Sequence, residues 1–232
     1  MVVNRIMFNF AEQIKNNTIM KNEVILYCYT MTHDTGFAPN PYHNVLTLAT
    51  CKPLIRKYAK VGYWIAGWTG NAVHNKQGEV DSNGAGRLIY LAQISEKLSF
   101  EEYWEKYPEK RPVEIHDKSQ KAKTGCGCSA NVKDFKVYND CGDNIYKPDK
   151  NDPSGFTQLK NSHHGEAQKE HDLSGKHVLV CKDFYYFGVE NAIEIKKEGR
   201  IPRWKKFTSE DANKIIRQVT NRYNHGLYPQ AQ

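Results

Sequence analysis

Residues 24–70 constrain the fold more than any other stretch of the chain. The run VILYCYTM at 24–31 is continuously apolar or β-favouring, the pattern of a central strand buried on both faces. It leads directly into HDTGFAPNP, where Gly36, Pro39 and Pro41 forbid regular structure. LTLAT at 46–50 reads as a second strand, and GYWIAGWTG at 62–70 as a third strand flanked by glycines. The Gly67 interruption predicts close approach of another backbone or of a ligand. A loop dense in Gly, Pro, Asn and Asp set between strands holds polar groups in fixed positions, so residues 29–70 read as the floor of a site.

Between the second and third strands lies CKPLIRKYAK. Pro53 is well placed at a helix start because its missing N–H is not needed there. Cys51 and Lys52 then precede the helix, where free N–H groups favour anions and thiolates, and Arg56 follows one turn in. Further along, GRLIYLAQI at 86–94 returns to strand character, and Ser99 with Glu102 forms a capping box for a short helix ending before Pro108. CGDNIYKP at 141–148 reads as a turn carrying Asp143 and Asn144, with Tyr146 at a strand edge. KHVLVCKDFYYFG at 176–188 is an apolar strand broken at Asp183. Thr208 and Asp211 resemble a second capping box, opening a final helix whose buried stripe is Ala212, Ile215, Ile216 and Val219. These elements predict an α+β domain: a mixed, largely antiparallel curved sheet with several short helices.

The expected organisation is an N-terminal extension over 1–23, then one domain over 24–232 that ends in a basic loop and the C-terminal helix. At 232 residues the chain is long enough for a substantial core. No apolar run approaches the roughly 18 residues of a membrane span. Residues 1–10 lack a secretory pattern, and the six cysteines are too unevenly spaced for a disulfide framework. Reduced thiols and a cytoplasmic location are therefore expected. The net charge of +7 is concentrated late: residues 196–206, KKEGRIPRWKK, hold six basic residues and one Glu. Such a cluster attracts phosphates, although a solvated loop has the same composition.

Several side chains stand out chemically. His33, Asp34, Phe37 and Asn40 occupy the constrained loop, and His163 and His164 follow FTQLKNS, with His163 favoured as a proton carrier. Trp64 and Trp68 share one strand face, serving as an aromatic platform or as core. Cys126 and Cys128, with Cys141, His116, His163 and His164, offer metal-ligand types, but not at the spacing of paired zinc knuckles. No metal is expected. No P-loop or G-x-G-x-x-G signature is present, and no nucleotide cofactor is expected.

Taken in order, DTGFAPNP, TLATCKPLIR, GYWIAG, GDNIY, NSHHG and VLVCKDFYYFG resemble the second group of nucleotide-modification-associated domains over residues 24–195. That family occurs near DNA-modification and phage-conflict genes of prokaryotes and viruses. Tyr63 stands where an acidic residue is expected, and Cys181 where a Ser is expected. The resemblance implies work on a modified base or nucleotide in DNA. One mechanism is a glycosylase that extrudes a hypermodified base and cleaves its N-glycosidic bond in phage defence. Asp34 or Asp143 then stabilises the positive sugar and His163 assists the leaving base. Phe37, Asn40, Trp64, Asn144, Tyr146, Asp183 and Tyr186 would contact the base. Lys52, Arg56, Arg200, Arg203 and Lys205 would hold phosphates. The alternatives are a base-modifying transferase with Cys51 or Lys52 as nucleophile, and a non-catalytic reader of modified bases.

Overall fold

Strand β1 (Ile25–Asp34) lies between β13 (Trp204–Thr208) and β3 (Trp64–Asn75), and the sheet continues through β5 (Leu88–Gln93) and β12 (Asp183–Tyr186) to β14 (Gly226–Leu227). The short β4 (Val80–Asp81) pairs with the far end of β3. The computed structural model describes residues 23–75, 78–112, 114–115, 137–138 and 142–228. The proposed extension, apart from Glu23, and the Cys126, Cys128, Cys141 and His116 cluster lie outside them.

Apolar residues populate both faces of β1, as its unbroken β-favouring run demands. Leu26 and Cys28 face Phe207, Trp68 and helix α4 (Ser209–Thr220). Tyr29 and Met31 face the opposite way, toward Ile65 and Tyr90. Against that second face packs a smaller antiparallel sheet, ordered β2 (Leu46–Leu48), β11 (Val178–Cys181) and β6 (Glu96–Leu98). Leu46, Leu48, Leu179 and Cys181 join it to the large sheet. Val178 and Val180 point the other way into a third cluster, with Phe100 and Tyr103 of α2 (Phe100–Lys106) and with Tyr146 and Phe156. The latter two sit on the hairpin β9 (Tyr146–Pro148) and β10 (Phe156–Gln158). Strands β7 (Glu114–Ile115) and β8 (Val137–Tyr138) form a separate pair. Helices α1 (Pro53–Tyr58) and α3 (Glu166–Leu173) complete the described regular elements, with a 3-10 turn at Pro108–Lys110.

The architecture is α+β with open sheets, and among the described pairings only β1–β3 and β12–β14 are parallel. The Ser99 capping box forms as expected: the Ser99 hydroxyl accepts from Glu102 N at 3.1 Å, and the Glu102 carboxylate accepts from Ser99 N at 2.7 Å. Other local expectations are corrected. Thr208 precedes α4 without a side-chain cap. Residues 176–188 form two strands in different sheets, β11 and β12. Gly67 accommodates side chains, not a backbone or ligand: an added Cβ would lie 2.3 Å from Met31 Sδ and 2.5 Å from the Tyr90 ring. Residues 142–145 are buried chain without regular structure or a turn. Gly142 allows this by pressing on Pro112, which a Cβ would approach to 2.3 Å.

Candidate active site

After β2 the chain turns sharply into α1, and the turn is made by two residues with left-handed backbone, Cys51 at φ 56° and Lys52 at φ 41°. Such conformations cost on the order of 1–3 kcal/mol each for residues bearing a Cβ and persist where the surroundings over-determine them. Here they do. Cys51 N donates to Asp172 Oδ1 at 2.7 Å. The buried Arg56 reaches back from α1 to donate to three carbonyls: Cys51 O at 2.7 Å, His177 O at 2.8 Å and Asp172 O at 2.5 Å. Gly175 leaves room for the guanidinium, since a Cβ there would meet Arg56 Cζ at 2.5 Å. This strained strand-to-helix turn projects the Cys51 thiol, as the strand-to-helix turn of α/β-hydrolases projects a serine.

The thiol meets an imidazole held by a carboxylate. Cys51 Sγ lies 3.5 Å from His164 Nε2, and His164 Nδ1 lies 2.5 Å from Asp172 Oδ2. Asp172 is fully buried and also accepts from Tyr146 Oη at 2.8 Å. The loop that delivers His164 is organised by Asn161, whose Oδ1 accepts from His163 N and His164 N at 2.9 and 2.7 Å. Gln158 Nε2 and Asn161 Nδ2 both donate to His164 O. Burial alone would lower the His164 pKa. The bonds to Asp172 and Cys51, and the charges of those groups, outweigh burial and lift it to about 9. Burial likewise pushes Asp172 up, but the bond from His164 and those from Cys51 N and Tyr146 leave its carboxyl below the usual range.

Cys51, His164 and Asp172 are also the ligand types of a metal centre, with donor atoms within 4.8 Å of one another. The hydrogen bonding favours a proton relay. The imidazole turns one nitrogen to the thiol and the other to the carboxylate, which also accepts from Cys51 N and Tyr146 Oη. A thiol, an imidazole and a carboxylate in line are groups that can serve as nucleophile, proton carrier and orienting carboxylate.

A cavity of about 320 Å³ opens over the relay, lined by Cys51 and His164 together with Tyr29, Phe37, Lys52 and His163. Phe37 stacks on His163 with ring centroids 4.5 Å apart. The Lys52 ammonium lies 4.6 Å from the centre of the Tyr29 ring. Burial lowers the Lys52 pKa and the nearby Arg203 adds to this, while Cys51 opposes it. The arrangement sets an aromatic wall and a cation beside the thiol.

The other residues singled out from the sequence are dispersed. Asp143 is fully buried, accepting from Thr47 Oγ1 at 2.7 Å and Tyr103 Oη at 2.6 Å, and burial raises its pKa. Asn40 accepts from the buried Lys110 Nζ at 2.7 Å, and Asn144 donates to Tyr103 O and Tyr107 O. Asp34 is bonded by Tyr186 Oη and by Val189 N, the latter at 2.7 Å, behind the cavity wall. Trp64 packs on the α4 side of the sheet. Asp183 is exposed beside His225. Arg200 and Arg203 are exposed and Lys205 lies over Phe207. Tyr146 enters the site from behind, through Asp172.

Sequence reasoning set His163 ahead of His164 and passed over Asp172. A signal for Asp172 was available: an acidic residue in the last turn of a helix opposes the macrodipole, so a partner must hold it there.

Curated proteins and solved structures show no match to the chain. The model of one family, nucleotide modification associated domain 2, matches residues 23–137 and 127–225. The chain belongs to that family, and its membership indicates involvement in nucleotide or DNA modification.

Proposed function

We propose that this protein is a cysteine-dependent group-transfer enzyme acting on a nucleotide or on a base in DNA, with an acyl-type group carried through Cys51. The Cys51–His164–Asp172 relay carries the proposal. His164, whose raised pKa keeps its ring protonated at neutral pH, holds the proton while the Cys51 sulfur adds to the carbonyl carbon of the donor. Collapse of the adduct breaks the bond to the leaving amine or alkoxide, which receives that proton, and a thioester remains. An amine on the base, or water, then attacks the thioester and restores the thiol. The Cys51 N–H is already bonded to Asp172. Lys52 is therefore the cation placed to stabilise developing negative charge in the cavity or to hold a substrate phosphate.

Cleavage of the N-glycosidic bond needs a carboxylate facing the sugar. Asp34 and Asp143 accept bonds from protein donors and do not line this cavity, which favours the thiol route. The test incubates the protein with small thioester and ester acyl donors and follows its intact mass. An acyl adduct on wild type, absent from Cys51→Ser and discharged by nucleotides bearing an exocyclic amine, supports the proposal. Alkali-labile abasic sites in hypermodified DNA, formed equally by Cys51→Ser, would replace it with the glycosylase reaction.

A further inference from the structure

The sheet face that carries Tyr29 and Met31 does not end at the cavity. On β13, Trp204 is the register partner of Tyr29 and Lys206 that of Tyr27, so both project on the cavity side. Trp204 is 48% exposed. Its ring lies 6.4 Å from that of Tyr27, which lies 6.4 Å from that of Tyr63. Three half-buried or exposed aromatic rings thus form a strip across the edge of the sheet. At its cavity end Tyr29 carries Lys52 on its face. Arg203 precedes Trp204 and Lys206 follows it by two residues, both exposed, and Arg203 is near enough to depress the Lys52 ammonium.

We infer that this strip, Tyr63–Tyr27–Trp204 with Arg203, Lys206 and Lys52, binds an unpaired DNA strand and leads one of its bases into the Cys51 cavity. The inference rests on the proposed action on DNA and names the form of the substrate: a polymer with exposed bases, not a free nucleotide. Aromatic faces stack bases regardless of sequence, and cations beside them follow the backbone. The 6.4 Å spacing of the rings is nearly twice the rise of about 3.4 Å per nucleotide in a duplex strand. It matches bases that have been unstacked. A duplex would present only phosphates to this face and leave the rings uncovered. Charge complementarity favours a nucleic acid over an apolar protein segment, because the strip contains no acidic residue and Arg203, Lys206 and Lys52 gather at its Trp204 side.

The test is fluorescence anisotropy of labelled 12-residue oligo(dT), the matching duplex and a competing thymidine monophosphate, with full-length Cys51→Ala protein to prevent turnover. The single strand should bind at least tenfold more tightly than the duplex. Trp204→Ala should weaken single-strand binding five- to fifty-fold, Trp204→Phe should restore most of it, and competition by the mononucleotide should be unchanged. In the wild-type background, Trp204→Ala should leave the rate of Cys51 alkylation by iodoacetamide as it was. Equal affinity for duplex and single strand, or full single-strand binding by Trp204→Ala, overturns the inference even if Cys51 chemistry holds. A concentration-dependent dimer abolished by Trp204→Ala, without oligonucleotide binding, assigns the strip to a second copy of the chain instead. Loss of Cys51 acylation with single-strand binding intact would refute the thiol reaction and leave the strip standing.

Discussion

At the scale of single residues, the proposed chemistry depends on one imidazole being held at both ends. His164→Gln should slow alkylation of Cys51 by iodoacetamide at pH 7 by about tenfold or more, because the thiolate loses its counter-charge. Asp172→Asn should cost about 10²- to 10⁴-fold in turnover, the range expected when a relay loses its orienting acid. Asp143→Asn should behave differently. It sits in a closed set of buried donors, so it should lower stability by about 3 kcal/mol in urea unfolding and leave the alkylation rate of the folded protein unchanged. Alkylation lost together with stability would return Asp143 to the site. The raised pKa of His164 also has a pH signature. The folded protein holds this proton more tightly than the unfolded chain does, so protonation favours folding. The stabilising increment is complete below the ordinary value of 6.5 and is lost as pH rises through about 9. The difference in thermal midpoint between wild type and His164→Gln should therefore shrink over that interval. Asp172, held below its ordinary range, works in the opposite sense and loses its contribution only in acid.

At the scale of elements, the turn between β2 and α1 is the critical piece, and Arg56 is its brace. Gly175→Ala should displace the guanidinium from three carbonyls and destabilise the protein by about 2–3 kcal/mol, as expected when buried acceptors lose their donor. The same change should slow Cys51 alkylation, because the strained turn relaxes. Normal reactivity in a destabilised Gly175→Ala protein would show that the turn holds without its brace. Much at this scale was legible beforehand. The VILYCYTM run, the Ser99 capping box and Pro53 at a helix start each depend on neighbours within a few residues. The sheet to which a strand belongs was not legible. β11 and β12 are separated only by Lys182 yet lie in different sheets, a choice made by packing with β2, β6 and β5.

At the scale of the molecule, the large sheet has two faces with different partners. Its one face is sealed by α4, and its other carries the cavity and the aromatic strip. Ile215→Ala on α4 should therefore cost about 2–5 kcal/mol in unfolding experiments while Cys51 alkylation proceeds at the wild-type rate. The amino-acid sequence by itself determined the α+β class, the buried strand read at 24–31, most helix starts and the importance of the segment that carries Cys51. These follow from periodicity, caps and turn residues, which act locally. Only the tertiary structure decided that Cys51 meets His164 and Asp172, 113 and 121 residues away, and that Asp34 and Asp143 are bonded away from the cavity. A carboxylate looks the same in sequence whether its partners are a substrate or buried protein donors. Those partners arrive only when distant strands pack.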